Sequence, residues 1–199
     1  MRTPLGMVGV ILLSIGVIAF FGLLGKTYRK ERTTDYSRLG ILLALALVFG
    51  FVESFLPDLL VPGVKLGLSN VVVLFVIYVY GPKEGLLIAA LKALIVSFFA
   101  GTFLSMGGWM SITGSMLSAI IMILLHIIAK RFSPIAVSLV GALSHFLGQL
   151  FIAYLYLGYP VWVYAPLGMV LAMTTGIFTG AICAILLRQK AFLRAIGGH

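Results

Sequence analysis

Long apolar runs, broken at intervals by short polar clusters, dominate the pattern of this chain. Seven runs can be drawn, at about 4–24, 39–56, 66–80, 85–106, 109–129, 134–157 and 163–187. A helix crosses the ~30 Å hydrocarbon core of a bilayer with about 20 apolar residues, and six of the seven runs approach or exceed that length. The third is shorter, and as a helix would rise only about 22 Å. Either it begins below the membrane surface, or the irregular stretch "PDLLVPGVKLGLSN" before it completes the crossing. Non-helical backbone at that depth is tolerated only where protein or water covers it, so this stretch is a candidate cavity wall.

The expected fold class is therefore all-α: a polytopic membrane protein with a six-helix bundle and one further N-terminal helix. Composition agrees, with 62% hydrophobic and 10% charged residues among 199 and a mean hydropathy of +1.20. A soluble domain needs more charge than this on its surface. The predicted organisation is an anchor helix at 1–25, a basic linker at 26–38, the bundle at 39–190 and a tail at 191–199. The first run also fits a signal peptide with Arg2 as its charged start. Its uncharged length and the lack of a small-x-small site before Lys26 favour an anchor.

A net charge of +9 raises the question of nucleic acid, but the placement of the charges argues for membrane topology instead. The linker "GKTYRKERTTDYSR" carries Lys26, Arg29, Lys30, Arg32 and Arg38. Alternate connections add Lys83, then Lys130 and Arg131, and the tail adds Arg188, Lys190 and Arg194. The other side has only Arg2 and Lys65. The positive-inside rule then predicts a cell-membrane protein with its C-terminus in the cytoplasm and its N-terminus outside. Tyr159, Trp162, Tyr164 and Trp109 fall near the outer interface, where amphipathic rings are favoured. Cys183 is the one cysteine, which excludes an intramolecular disulfide and a cysteine-rich metal site.

Against this background five polar residues stand out. Lys92 lies about 12 Å beyond Glu84 along its helix, within the hydrocarbon. His145 is also near the midplane, and Gln149 lies one turn further out on the same face. Glu53 sits near the outer end of the second run, and Asn70 at the start of the third. Each has a plainer reading. Lys92 can snorkel to the cytoplasmic headgroups, His145 can bond a backbone carbonyl, Glu53 can be interfacial, and Asn70 can cap its helix. Together their depths place them in the middle and outer half of the bundle, where they can converge on one outward-facing polar pocket. A lysine there favours an anionic ligand, with Glu53 offsetting its charge in the empty state.

Small residues at four-residue spacing mark close helix contacts. Gly176, Gly180 and Ala184 form such a ridge on the last run. Gly40 with Ala44, and Ala46 with Gly50, form stripes on the second. These serve either internal bundling or docking of another membrane protein.

Two stretches, "VPGVKLGLSNVVVLFVIYVYGPKEGLLIAALKALI" and "VSLVGALSHFLGQLFIAYLYLG", resemble the membrane proteins known as Gx transporters or heptaprenyl diphosphate synthase component I. That family is similar in turn to the substrate-capture (S) components of energy-coupling-factor vitamin transporters. The resemblance covers about residues 38–190, and Lys65–Asn70 and His145–Gln149 are its most specific parts. It implies a six-helix bundle with a substrate pocket near the outer face, built here from Asn70, Lys92, His145 and Gln149. It also implies a first bundle helix with an Ala-x-x-x-Ala surface that docks on a shared transmembrane coupling subunit working with ATPases. Gly40-x-x-x-Ala44 and Ala46-x-x-x-Gly50 are close to that pattern but not identical to it.

The chemistry implied by a synthase name can be weighed directly. Prenyl chain elongation holds magnesium and diphosphate with clustered carboxylates. This chain has two aspartates, Asp35 and Asp58, far apart and predicted on opposite sides. It also lacks a Gly-x-x-x-x-Gly-Lys-Ser/Thr loop for ATP. The expectation is a non-enzymatic subunit, without cofactor or metal, that binds a small, partly apolar, anionic molecule. Two alternatives stay open: a membrane scaffold in an isoprenoid- or quinone-handling assembly, and a solitary proton-coupled carrier acting through Glu53, Lys92 and His145.

Overall fold

The computed structural model describes residues 33–55, 65–128 and 132–189, and the predicted anchor helix, most of the basic linker and the tail lie outside them. Among the described residues there are six α-helices and no strand. They are α1 (Thr33–Phe55), α2 (Asn70–Val79), α3 (Pro82–Phe99), α4 (Met106–Ile128), α5 (Pro134–Leu157) and α6 (Ala165–Arg188). A 3₁₀ turn, Tyr159–Tyr164, joins α5 to α6. Among the described residues four spans, Tyr36–Ser54, Met106–Ile128, Pro134–Leu157 and Tyr159–Arg188, are long and apolar enough to cross a membrane. The chain is a helical membrane protein. The helix α3 carries Lys83, Glu84 and Lys92 among its 18 residues.

Local chemistry sets the helix ends. Pro82 and Pro134 each occupy a first-turn position, where a missing N–H costs nothing. The Ser133 side chain accepts a bond from the Ala136 N–H at 3.2 Å, capping α5. At the other end of α5, Gly158 takes φ 79°, which only glycine adopts without strain, and turns the chain into the 3₁₀ segment.

The short α2 lies at the centre. Residues 70–77 are all buried, and its neighbours are α3, α4, α5 and α6. That explains its composition, "NVVVLFVIYV", which has no polar face after Asn70. Glycines let the surrounding backbones close in. A Cβ on Gly148 of α5 would stand 3.0 Å from the Gly114 Cα of α4, and one on Gly180 of α6 would stand 2.7 Å from the Ile135 Cα of α5. A Cβ on Gly176 would meet Leu139 and Ala142, each at 2.9 Å. The predicted ridge on the last helix is thus an internal contact with α5.

On α1 the stripes divide. Leu39, Leu42, Ala46, Gly50 and Glu53 face the bundle, and a Cβ on Gly50 would press on the Val96 side chain of α3 at 2.7 Å. Gly40 and Ala44 are exposed, beside Ile41, Leu45, Val48 and Val52. The aromatic residues Tyr159, Trp162 and Tyr164 are exposed as an interfacial belt requires, but Trp109 is turned inward and only 6% exposed.

Candidate functional site

The third apolar run begins its helix four residues later than hydropathy suggests. Residues 65–69 are not helical. Gly67 has φ 78°, and its carbonyl accepts the Asn70 N–H at 2.9 Å in a turn that starts α2. A Cβ on Gly67 would lie 3.0 Å from Asn70 Nδ2 and 3.2 Å from the His145 ring. Ten helical residues rise about 15 Å, half of a hydrocarbon core, so segment 65–69 carries irregular backbone into the bundle. Its polar groups must be met by protein.

They are met chiefly by the polar residues singled out above. Glu53, at the end of α1, accepts a bond from the Leu68 N–H through one carboxylate oxygen. Its other oxygen lies 3.2 Å from the Ser69 hydroxyl. Lys92 does not snorkel: it is 3% exposed and donates to Ser69 Oγ at 2.7 Å and to Asn70 Oδ1 at 2.6 Å. Asn70 is the first helical residue rather than a side-chain cap, and its Nδ2 faces Ser118 Oγ of α4 at 3.4 Å. From α5, the Gln149 amide pairs with both main-chain groups of Lys65. Its nitrogen donates to the carbonyl and its oxygen accepts from the N–H, each at 3.2 Å. Thr175 of α6 donates to the Leu66 carbonyl at 3.3 Å. The Lys65 ammonium reaches back to Ser54 Oγ at 3.0 Å.

Ser69 stands between the two opposite charges. Its hydroxyl accepts from Lys92 and donates to Glu53, so the pair is joined through one bridging oxygen. Among the described residues the site thus holds two ammonium groups, Lys65 and Lys92, against one carboxylate, Glu53.

His145 completes the wall. With Gln149 oriented to suit Lys65, His145 Nε2 donates to the Gln149 oxygen at 3.0 Å. Its Nδ1 is buried with no hydrogen bond of ordinary geometry among the described residues, and the ring lies against the main chain of Gly114 on α4. Buried polar atoms are paired in the great majority of cases, so a nitrogen left this way calls for a partner. Lys92 is similarly under-used among the described residues, because an ammonium has three donors and two find acceptors there. Both residues line one cavity, together with Glu53, Lys65, Ser69, Ser111 and Ser115. Its free volume of about 10 Å³ is room for about one water molecule.

The structure therefore brings Glu53, Asn70, Lys92, His145 and Gln149 together around one irregular segment. The space they share is small, about 10 Å³, whereas depth alone suggested a larger chamber. Sequence reading missed Ser69, Ser111, Ser115 and Thr175. Serines and threonines are common in membrane helices, and no periodicity marks the ones that face a cavity. Among the described residues no group of three or more His, Cys, Asp or Glu is placed to hold a metal.

No curated protein and no solved structure matches the chain. A family model does, over residues 42–186, which contain every helix of the site apart from the start of α1 and the last two residues of α6. On that match, and with the helical membrane architecture described above, the chain belongs to the heptaprenyl diphosphate synthase component I family.

Proposed function

We propose that this chain is a non-enzymatic ligand-binding subunit of a membrane assembly, similar to an S component, that takes up a small, partly apolar, anionic molecule from the outer side. The observation that carries this reading is the pairing of two incompletely used polar groups in one cavity. Among the described residues Lys92 has a donor to spare and His145 Nδ1 lacks a hydrogen bond of ordinary geometry, and both line the same space between α1, α3, α4 and α5. An ammonium within the bilayer is expensive, costing about 3 kcal/mol or more, and such residues usually mark a pathway or a ligand. A monoprotonated phosphate or a carboxylic acid suits both groups, accepting from Lys92 and donating to or accepting from His145. In this reading Ser69 and Asn70 stand in for the ligand when the site is empty, and segment 65–69 shifts to admit it. Gly40 and Ala44, exposed on α1, are the part of the small-residue stripe left to meet a coupling subunit.

A thermal-shift panel of small anions against detergent-purified protein tests the reading. At least one anion should raise the melting temperature of the wild type, and Lys92→Met should remove that response. A Lys92→Met protein that responds equally to every anion takes Lys92 out of the site.

A second reading is favoured by the family's description as a synthase component and by an apolar cleft beside the polar cluster. There the chain is the membrane subunit of an isoprenoid-handling assembly, and a soluble enzyme docks on its cytoplasmic side. Co-purification of that enzyme through the cytoplasmic face, without outward ligand access, would distinguish it.

A further inference from the structure

Two apolar surfaces lie open among the described residues. One is the cleft of about 200 Å³ between α1, α2 and α6, with Leu45, Phe49 and Phe178 at its exposed rim. The flanks of a spanning helix are apolar by default, so that surface calls for no special occupant. The other is the connection from α3 to α4, residues 100–105, together with the last turn of α3. A connection that runs in water has no such reason to be apolar.

Phe98, Phe99, Phe103 and Leu104 are 66%, 73%, 37% and 79% exposed there. Their rings meet edge to face, Phe98 with Phe99 at 5.7 Å and with Phe103 at 6.3 Å, and Phe99 reaches Phe51 of α1 at 6.2 Å. No Asp, Glu, Lys or Arg occurs between Lys92 and Lys130. The polar groups of the turn are largely spent within it. The N–H groups of Ala100, Thr102 and Ser105 donate to the carbonyls of Val96, Ser97 and Thr102, each at 2.9 Å, and that of Gly101 donates to Phe98 at 3.1 Å. The Ser97 and Ser105 hydroxyls donate to the carbonyls of Ala93 and Thr102, at 2.6 and 2.8 Å. Gly101 makes the turn at φ 69°. Gly108, on which a Cβ would meet the Thr102 carbonyl, lets the chain fold back on the start of α4. A loop in water has solvent to satisfy its main chain, whereas one in hydrocarbon must satisfy itself.

Helices α3 to α6 follow one another through short connections and pack as neighbours, so their directions alternate. The α5–α6 turn, Tyr159–Tyr164, therefore lies at the same end of the bundle as the α3–α4 connection. The two differ in chemistry. The α5–α6 turn exposes Tyr159, Trp162 and Tyr164, rings with a polar atom that suits the headgroup level. Phe and Leu carry no such atom. Length points the same way, since the 18 residues of α3 rise about 27 Å and the 24 of α5 or α6 about 36 Å.

We propose that the α3–α4 connection is inserted among the lipid acyl chains at its end of the bundle, below the level of the α5–α6 turn. Phe98, Phe99, Phe103 and Leu104 are the inserted side chains. Phe51 adjoins Gly50 and Phe99 lies one turn beyond Val96, two residues of the polar cavity's lining, so the inserted rings also flank the α1–α3 seam of that cavity.

Spin-label accessibility of the full chain in phosphatidylcholine bilayers tests this. Cys183, the one native cysteine, is removed as Cys183→Ala, and single nitroxide-labelled cysteines replace exposed residues. Phe99→Cys and Leu104→Cys report on the connection, Tyr159→Cys and Tyr164→Cys on the α5–α6 turn. Collision with oxygen, which dissolves in hydrocarbon, is compared with collision with a neutral nickel chelate, which hydrocarbon excludes. The oxygen-to-nickel ratio at 99 and 104 should exceed that at 159 and 164 by at least about fivefold, because burying a polar complex in hydrocarbon is costly. Equal ratios at the four positions would overturn the proposal by placing both turns at one level. Low collision with both reagents at 99 and 104 would also overturn it, marking a surface covered by protein. The two labels in the connection are independent, so a folding defect in one variant leaves the other to decide.

Discussion

Gln149 treats the main chain of Lys65 as a neighbouring strand would, donating to its carbonyl and accepting from its N–H, each at 3.2 Å. The pairing shows how a membrane protein keeps a non-helical segment at depth, with side chains from surrounding helices meeting the main chain at Lys65, Leu66 and Leu68 and the turn into α2 meeting the carbonyls of Gly67 and Leu68. Replacing Gln149 with Leu leaves both Lys65 groups unpaired, at about 1–3 kcal/mol apiece. Gln149→Leu should lower the melting temperature in detergent by roughly 5 °C or more, given the usual response of a chain this size. Differential scanning fluorimetry checks it.

Gly67 turns the chain into α2 at φ 78° with its Cα facing Asn70 and His145. A side chain in the left-handed region costs about 1–2 kcal/mol, and here a Cβ would also push on Asn70 Nδ2 at 3.0 Å. Gly67→Ala should speed amide hydrogen exchange across 65–70 while leaving α5 and α6 unchanged. Exchange read by mass spectrometry on both proteins decides it.

Two glycines should behave in opposite ways. A methyl at Gly148 would meet the Gly114 backbone, and overpacking of this kind typically costs about 1–3 kcal/mol. Nothing lies within 4 Å of a Cβ on Gly40, so Gly40→Ala should be neutral or raise stability by up to about 1 kcal/mol through helix propensity. Thermal unfolding of the two variants side by side gives the contrast.

Ala44, exposed one turn beyond Gly40, tests the partner surface. Ala44→Trp should leave the melting temperature unchanged but cut co-purification of any membrane partner at least about tenfold, as a bulky group does at a small-residue helix contact. Quantitative mass spectrometry of the affinity-purified assembly reads this. Unchanged recovery would place the contact elsewhere.

Much of this architecture was legible in the sequence, and what was not has physical causes. Hydropathy located α1, α4, α5 and α6 closely because a lipid-facing helix must be apolar along its length. It could not locate the start of α2, because residues 65–69 are nearly as apolar as the helix they precede and only the Gly67 turn separates them. Depth along a helix placed Glu53, Lys92, His145 and Gln149 in the middle and outer half of the bundle, but depth carries no azimuth. It therefore predicted a chamber and could not foresee that these side chains reach inward far enough to close on segment 65–69. The cleft between α1 and α6 was invisible for the opposite reason: its residues differ in no way from those that face lipid. Trp109 shows the same limit, with a position near the interface and a ring that points into the bundle.

Native mass spectrometry of the wild type and Lys92→Met, each released directly from the membrane, tests the central claim most directly. The wild type should carry a bound molecule of discrete mass that Lys92→Met lacks, with both proteins folded by melting temperature. Identical spectra, whether both bare or both carrying the same adduct, would contradict the claim that Lys92 is retained within the bilayer to hold a ligand.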